Sequence, residues 1–136
     1  MITAVDSSVL LDVVLDDPKF RPASLEALKE ARRSGTVLAC PVVWAEVIAA
    51  TRPGRRVEQG LAAAGISFDP FDEECAAKAG ALWAAYRSAG GKRERLIPDF
   101  LVGTHALVRK ARLLTRDRGF YRRFFKGLEI VETLQA

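Results

Sequence analysis

The sequence predicts an α/β fold in which one parallel sheet is flanked by helices. Short apolar runs bounded by turn residues alternate with longer segments of helical periodicity, which is typical of parallel strands joined by helices. With 136 residues, of which 49% are hydrophobic, the chain is long enough to form a core, and we assign residues 1–136 to one domain.

The elements are predicted from apolar spacing and from the residues at their ends. Gly35, Gly65 and Gly90 follow helical segments, and Pro98 lies in a first turn, as expected at helix ends. In the first half we predict strand Ile2–Val5, helix Ser8–Leu15, helix Ala23–Ser34, strand Thr36–Ala39 and helix Val42–Ala50. In the second half we predict helix Arg55–Ala64, strand Ile66–Phe68, helix Asp72–Ala89, helix Pro98–Lys110, strand Leu113–Thr115 and strand Glu129–Val131.

The start of the chain, MITAVDSSVLLDVVL, resembles neither a signal peptide nor a membrane span, because it lacks a basic region and contains Asp6 and Asp12. We therefore expect a soluble cytoplasmic protein without a membrane partner. Cys40 and Cys75 are far apart and lie among apolar residues, which favours reduced core cysteines over a disulfide or a zinc site.

Basic residues are concentrated near the C-terminus. The net charge is +4, and residues 109–126 hold eight basic residues and one acid, Asp117, interleaved with aromatic residues. Smaller basic clusters occur at Arg52–Arg56 and Lys92–Arg95. Two interpretations remain open: solvated charges over core aromatics, or a nucleic-acid surface. Under the second, the residues that contact phosphate are expected to include Arg116, Arg118 and Arg122.

Two carboxylates lie within two residues of the ends of predicted strands. In a parallel α/β sheet, ligands bind beyond the carboxyl ends of the strands. Asp6 follows the first strand, and Asp117 lies two residues after the fourth. Taken alone, Asp6 also suits a helix cap and Asp117 an ordinary turn.

Glu46 and Asp99 are more informative because each lies in an apolar helix. Glu46 is the only charged residue in PVVWAEVIAA, and Asp99 has no basic residue three or four positions later. Four acids at one sheet edge would repel one another unless a divalent cation lay between them. Oxygen ligands suit Mg²⁺ or Mn²⁺, and such an ion beside a basic surface is suited to hydrolysing a phosphodiester.

His105 argues against the main metal-free alternative. It is the only histidine, so a ribonuclease mechanism with two histidines is excluded. It follows Asp99 by six residues and points about 240° round the helix from it. We predict a core or interface histidine. A receiver domain and a dehalogenase-type phosphatase are also excluded, since the additional acids and the lysine they need are missing.

Four short motifs follow one another along the chain: Asp6-Ser7-Ser8 after the first strand, Glu46 after the second, Asp99 in PDFLVGTHAL, and Asp117 in LLTRDRGF. In this order and spacing they resemble the PIN-domain ribonucleases, in particular the VapC toxins of prokaryotic type II toxin–antitoxin modules. The resemblance covers essentially the whole chain.

This resemblance implies a five-stranded parallel sheet and a Mg²⁺- or Mn²⁺-dependent endoribonuclease that leaves 5′-phosphate and 3′-hydroxyl ends. Asp6, Glu46 and Asp99 would be the main ligands, with Asp117 contributing directly or through water, and Ser7 and Thr115 as supporting donors. The implied partners are RNA, a VapB-like antitoxin and a second copy of the chain. The alternatives are a PIN-fold RNA-processing nuclease and a catalytically silent RNA-binding relative.

Overall fold

A computed structural model of the chain describes residues 1–51, 56–90 and 97–133. Twelve elements follow one another in this order: β1 (Ile2–Val5), α1 (Ser7–Val14), α2 (Arg21–Ser34), β2 (Thr36–Ala39), α3 (Pro41–Ala50), α4 (Val57–Ala63), β3 (Ile66–Phe68), α5 (Glu73–Ser88), α6 (Ile97–Val108), β4 (Arg112–Thr115), α7 (Arg118–Phe124) and β5 (Ile130–Glu132). The predicted start of the fourth helix at Arg55 lies outside the described residues.

The five strands form one parallel sheet in the order β3-β2-β1-β4-β5. The predicted α/β class and the parallel sheet are therefore confirmed. Because all strands run the same way, their carboxyl ends meet at one edge, and β1 lies at the centre of that edge between β2 and β4.

The core lies against this sheet. Residues of β1, β2 and β4 such as Val5, Val37, Ala39 and Leu113 are almost completely buried, as expected for strands covered on both faces. Helices α1 and α2 pack together, as do α5 and α6. No helix among the described residues is long and apolar enough to cross a membrane.

The structure adds one helix that the sequence analysis did not predict. Residues 118–124 form α7, and its aromatic residues face inward: Tyr121 is 0% exposed and Phe120 is 8% exposed. Phe125, which follows the helix, is also buried. Of the two interpretations left open for this segment, the aromatic residues thus support core packing.

Candidate active site

Asp6 is a buried carboxylate at the centre of the carboxyl edge. It follows β1, its backbone N–H donates to the carbonyl of Leu114 in β4 (2.9 Å), and only 7% of the residue is exposed. It is also the N-cap of α1, because its Oδ1 accepts from the Ser7 backbone N–H at 2.8 Å. The capping role that the sequence left open is therefore real, and it coexists with a position at the functional edge.

Three donors hold the Asp6 carboxylate in place. Besides Ser7, the Thr115 hydroxyl donates to Oδ2 at 2.7 Å and the Ser8 hydroxyl at 3.4 Å. Burial nevertheless raises the pKa of Asp6, these hydrogen bonds oppose the rise, and the negative charge of Asp117 adds to it. A nearby cation would stabilise the ionised form of such a fixed carboxylate.

Thr115 connects the ends of β1 and β4. It is fully buried, and its hydroxyl oxygen accepts from the Asp117 backbone N–H at 2.9 Å while donating to Asp6. Asp117 itself is exposed at the N-cap of α7. The turn after β4 is thereby tied to Asp6, and it presents Asp117 to solvent.

Glu46 enters the same edge from α3. Its Oε1 accepts from the Ser7 hydroxyl at 3.4 Å, so Ser7 contacts two of the four predicted acids. Partial burial raises the pKa of Glu46, and the charges of Asp6 and Asp99 raise it further. Asp99 is half-buried in the first turn of α6. The charges thus connect the four acids pairwise, with Asp117 acting on Asp6, and Asp6 and Asp99 acting on Glu46.

The chemistry of this donor set suits a hard divalent cation, with water completing the coordination. Within the described ranges, no three His, Cys, Asp or Glu side chains lie close enough together to hold a metal ion by themselves. Mg²⁺ is usually bound through one or two carboxylates and keeps several waters. Carboxylates whose charges raise the pKa values of Asp6 and Glu46, without a closed cage, match that mode of binding.

Two of the arginines expected at an RNA surface form ion pairs within the protein. Arg116 forms a two-point ion pair with Asp12, with Nε–Oδ2 at 2.7 Å and Nη2–Oδ1 at 2.9 Å. Its guanidinium also lies 4.0 Å from the ring centre of Phe20. Arg122 forms an ion pair with Glu132. Each arginine therefore has an acidic partner within the protein, which favours a structural role over the predicted phosphate contact. The side chain of Arg118 and the clusters at residues 52–55 and 92–95 lie outside the described part of the structure.

Asp12 is a buried acid that pairs with Arg116 at the rim of the candidate site, and the sequence analysis did not single it out. It is 3% exposed in α1 and accepts from the Ser24 hydroxyl at 2.6 Å as well as from Arg116. It is the only charged residue of the α1 segment SSVLLDVV. This is the same signal that singled out Glu46, so it could have been found.

His105 and the cysteines belong to the core, as predicted. His105 is 1% exposed, and its Nε2 lies 2.6 Å from Oδ2 of Asp69, which also bonds Arg109. Burial lowers the pKa of His105, although Asp69 opposes that change. Cys40 and Cys75 are free and buried, and burial raises the pKa of Cys40 to about 11.

Comparison with known proteins places this geometry in a family. Residues 3–126 match the family model of the PIN domain. No curated protein sequence matches the chain significantly. Solved structures similar to this chain include VapBC2 from Rickettsia felis bound to a DNA fragment from its promoter, with 17% identity, a TM-score of 0.77 and coverage of 97% of this chain and 98% of that chain.

Two further solved structures share the fold. A toxin–antitoxin complex from Klebsiella pneumoniae has 17% identity and a TM-score of 0.69, and the match covers 98% of this chain and 99% of that chain. FitAcB from Neisseria gonorrhoeae has 22% identity and a TM-score of 0.70, with 96% of each chain covered.

Proposed function

The chain belongs to the PIN domain family, and from that premise we propose that it is a Mg²⁺- or Mn²⁺-dependent endoribonuclease acting as the toxin of a toxin–antitoxin module. Proteins of this family are generally nucleases. The observation that carries the proposal is the group of acids at the carboxyl edge, where Asp6, Glu46, Asp99 and Asp117 act on one another's charge or on a shared neighbour.

The proposed ligands are these four carboxylates, each bound to the cation directly or through water. A bound divalent cation would supply an acidified water as nucleophile and offset the negative charge that develops on the phosphate. Asp6 is suited to be the fixed ligand, because Ser7, Ser8 and Thr115 hold it. Glu46 and Asp117 are exposed, so a substrate can reach them from solvent. Hydrolysis would leave 5′-phosphate and 3′-hydroxyl ends.

Binding of the cation should release protons. Since burial and neighbouring charges raise the pKa values of Asp6 and Glu46, both acids hold protons more strongly than ordinary carboxylates. Ligands must be deprotonated to bind metal. Metal affinity and cleavage are therefore expected to rise with pH as these two acids ionise.

The test of this function is cleavage of a labelled single-stranded RNA by the purified chain. We expect cleavage with Mg²⁺ or Mn²⁺, no cleavage in EDTA, and recovery when excess Mg²⁺ is restored. A labelled product carrying a 3′-hydroxyl would match hydrolysis by water. Full activity in EDTA would rule out the mechanism, and RNA binding without cleavage would indicate a catalytically silent relative.

An antitoxin partner is the second part of the proposal, and a cleft away from the four acids is suited to it. The cleft measures about 720 Å³ and lies between α1, α2 and α4. Its lining is mostly apolar and includes four basic residues but, within the described ranges, no acidic one; the basic residues are Lys29, Arg32, Arg33 and Arg56. An amphipathic segment with acidic flanks would match both the apolar lining and the basic rim.

A further inference from the structure

Tyr121 carries a buried hydroxyl that makes no hydrogen bond with the described residues. The residue is 0% exposed, and in the part of the chain that the structure describes its Oη makes no hydrogen bond. Buried tyrosine hydroxyls normally find a partner, because leaving a polar group unpaired in the interior costs free energy. Phenylalanine would occupy nearly the same space without that cost, so the hydroxyl requires an explanation other than packing.

Helix α7 packs against α6 through Phe120 and Phe100, and Tyr121 lies in α7 close to the segment that carries Asp117. Asp117 is the N-cap of that helix, and Tyr121 follows it by four residues. Its ring packs on Phe125, with centroids 5.9 Å apart. Phe125 in turn occupies the space beside Gly103, where a β-carbon would lie 2.6 Å from its ring. Gly103 follows Asp99 by one turn of α6, so Phe125 connects Tyr121 to the helix that carries Asp99.

The electrostatics agree with this position. Burial raises the pKa of Tyr121, and the negative charges of Asp6, Asp99 and Asp117 raise it further. The hydroxyl therefore keeps its proton at neutral pH and is available as a donor. The three carboxylates that act on it are hydrogen-bond acceptors.

We infer that Tyr121 is a positioning residue of the proposed metal site, whose hydroxyl donates a hydrogen bond to the oxygen atoms that gather around a bound divalent cation. This inference rests on the proposed function, because it takes the four acids to be the ligands. When the site holds a cation, the buried hydroxyl of Tyr121 would therefore have a hydrogen-bond partner. Outer partners of metal ligands commonly contribute about 10–100-fold to metal affinity.

The test compares Tyr121→Phe with Tyr86→Phe. Tyr86 is the only other tyrosine, and it packs in the same aromatic cluster, 5.2 Å from Phe100 and 5.0 Å from Phe124, so it supplies the same chemical change as a control. Mn²⁺ binding is followed by calorimetric titration, and thermal melts are recorded in EDTA and in Mn²⁺. For Tyr121→Phe we expect Mn²⁺ affinity about 10-fold lower, a smaller stabilisation by Mn²⁺, and a melting temperature in EDTA equal to or above that of the wild type. Tyr86→Phe should leave Mn²⁺ affinity unchanged.

The outcomes separate this inference from the proposed function. The role of Tyr121 would be overturned if Tyr121→Phe bound Mn²⁺ as tightly as the wild type, or if Tyr121→Phe and Tyr86→Phe lost the same Mn²⁺ affinity. In either case, RNA cleavage by the wild type would still support the proposed function. A wild type that binds Mn²⁺ but does not cleave RNA would overturn the function, whereas a selective loss in Tyr121→Phe would still support the inference. A wild type that binds no Mn²⁺ would overturn both.

Discussion

Asp6 and Glu46 are carboxylates that the folded protein makes harder to ionise. Burial is the main cause for both, and neighbouring acids add to it. An acid whose pKa is higher in the folded than in the unfolded state destabilises the fold once both states are ionised, and this effect disappears at low pH, where both states are protonated. The metal-free protein therefore carries an electrostatic cost at neutral pH that a bound cation would remove.

Replacing Glu46 with Gln tests this at a single residue. At neutral pH the metal-free variant should melt above the wild type, because one repelling charge near Asp6 and Asp99 is gone. The difference should shrink as the pH falls toward 4.5, the ordinary pKa of a glutamate. Stabilisation by added Mg²⁺ should decrease. RNA cleavage should fall at least about 100-fold, since even residues that only support a ligand contribute about 10–100-fold.

Glu74→Gln is the matched control for this prediction. Glu74 is exposed in the first turn of α5, so the same loss of charge should leave Mg²⁺ stabilisation and cleavage as in the wild type. Thermal melts across pH in EDTA and in Mg²⁺, beside the cleavage assay, give the answer. If Glu46→Gln keeps full activity, Glu46 is not a ligand.

At the scale of elements, Arg116 connects three parts of the fold at the rim of the site. It lies in the turn between β4 and α7, pairs with Asp12 of α1, and stacks on Phe20 just before α2. Asp12 also bonds Ser24 of α2. The turn that Arg116 anchors contains Thr115 and Asp117, so this ion pair supports the geometry around Asp6.

Arg116→Ala should therefore destabilise the protein. The substitution leaves the carboxylate of Asp12 buried without its cation, and we expect it to lower the free energy of unfolding by about 2–3 kcal/mol. This is somewhat less than the loss for a fully buried pair, because 31% of the Arg116 side chain is exposed. Arg33→Ala breaks exposed pairs with Glu26 and Glu30 and should cost about 1 kcal/mol or less. Urea unfolding measures both, and equal losses would contradict the structural role of Arg116.

The same variant separates a structural arginine from an RNA contact. Loss of one phosphate contact should reduce the slope of log K against log[salt] by about 0.7 for single-stranded RNA. Because Arg116 is engaged by Asp12, we expect the slope for Arg116→Ala, measured where the variant is fully folded, to equal that of the wild type.

How far the sequence predicted these elements depends on the kind of signal each one has. All five strands were located within about one residue, because each is a short and mostly apolar run between turn residues. Helix α7 was missed, since its seven residues are too few to show a helical period and its arginines suggested a surface. The four acids were predicted from their places after strands and in apolar helices, and their role as metal ligands stays a prediction. The ion pair between Arg116 and Asp12 was not predicted, because two residues about 100 positions apart leave no local pattern in the sequence.

At the scale of the whole molecule, α1 joins the acidic edge to the apolar cleft. Asp6 caps the first turn of α1, while Leu10, Val13 and Val14 of the same helix line the cleft. A partner seated in the cleft would therefore contact the helix that begins at the candidate active site. This arrangement lets one bound segment hold the cleft while its flanking residues extend toward the acids.

Gly60→Phe tests whether the antitoxin occupies this cleft. Gly60 lies in α4 and lines the cleft, and no atom lies within 4 Å of a β-carbon built there, so a phenylalanine side chain adds bulk at the cleft without a clash at its base. Gly80→Phe in α5 is the control, because Gly80 is equally open and does not line the cleft. Both variants should cleave RNA like the wild type. The cognate antitoxin, to be sought as a small protein encoded next to this chain, should inhibit the wild type and Gly80→Phe. It should bind Gly60→Phe at least about 10-fold more weakly, a loss of about 1.4 kcal/mol. Inhibition assays and calorimetry measure this, and full inhibition of Gly60→Phe would place the partner on another surface.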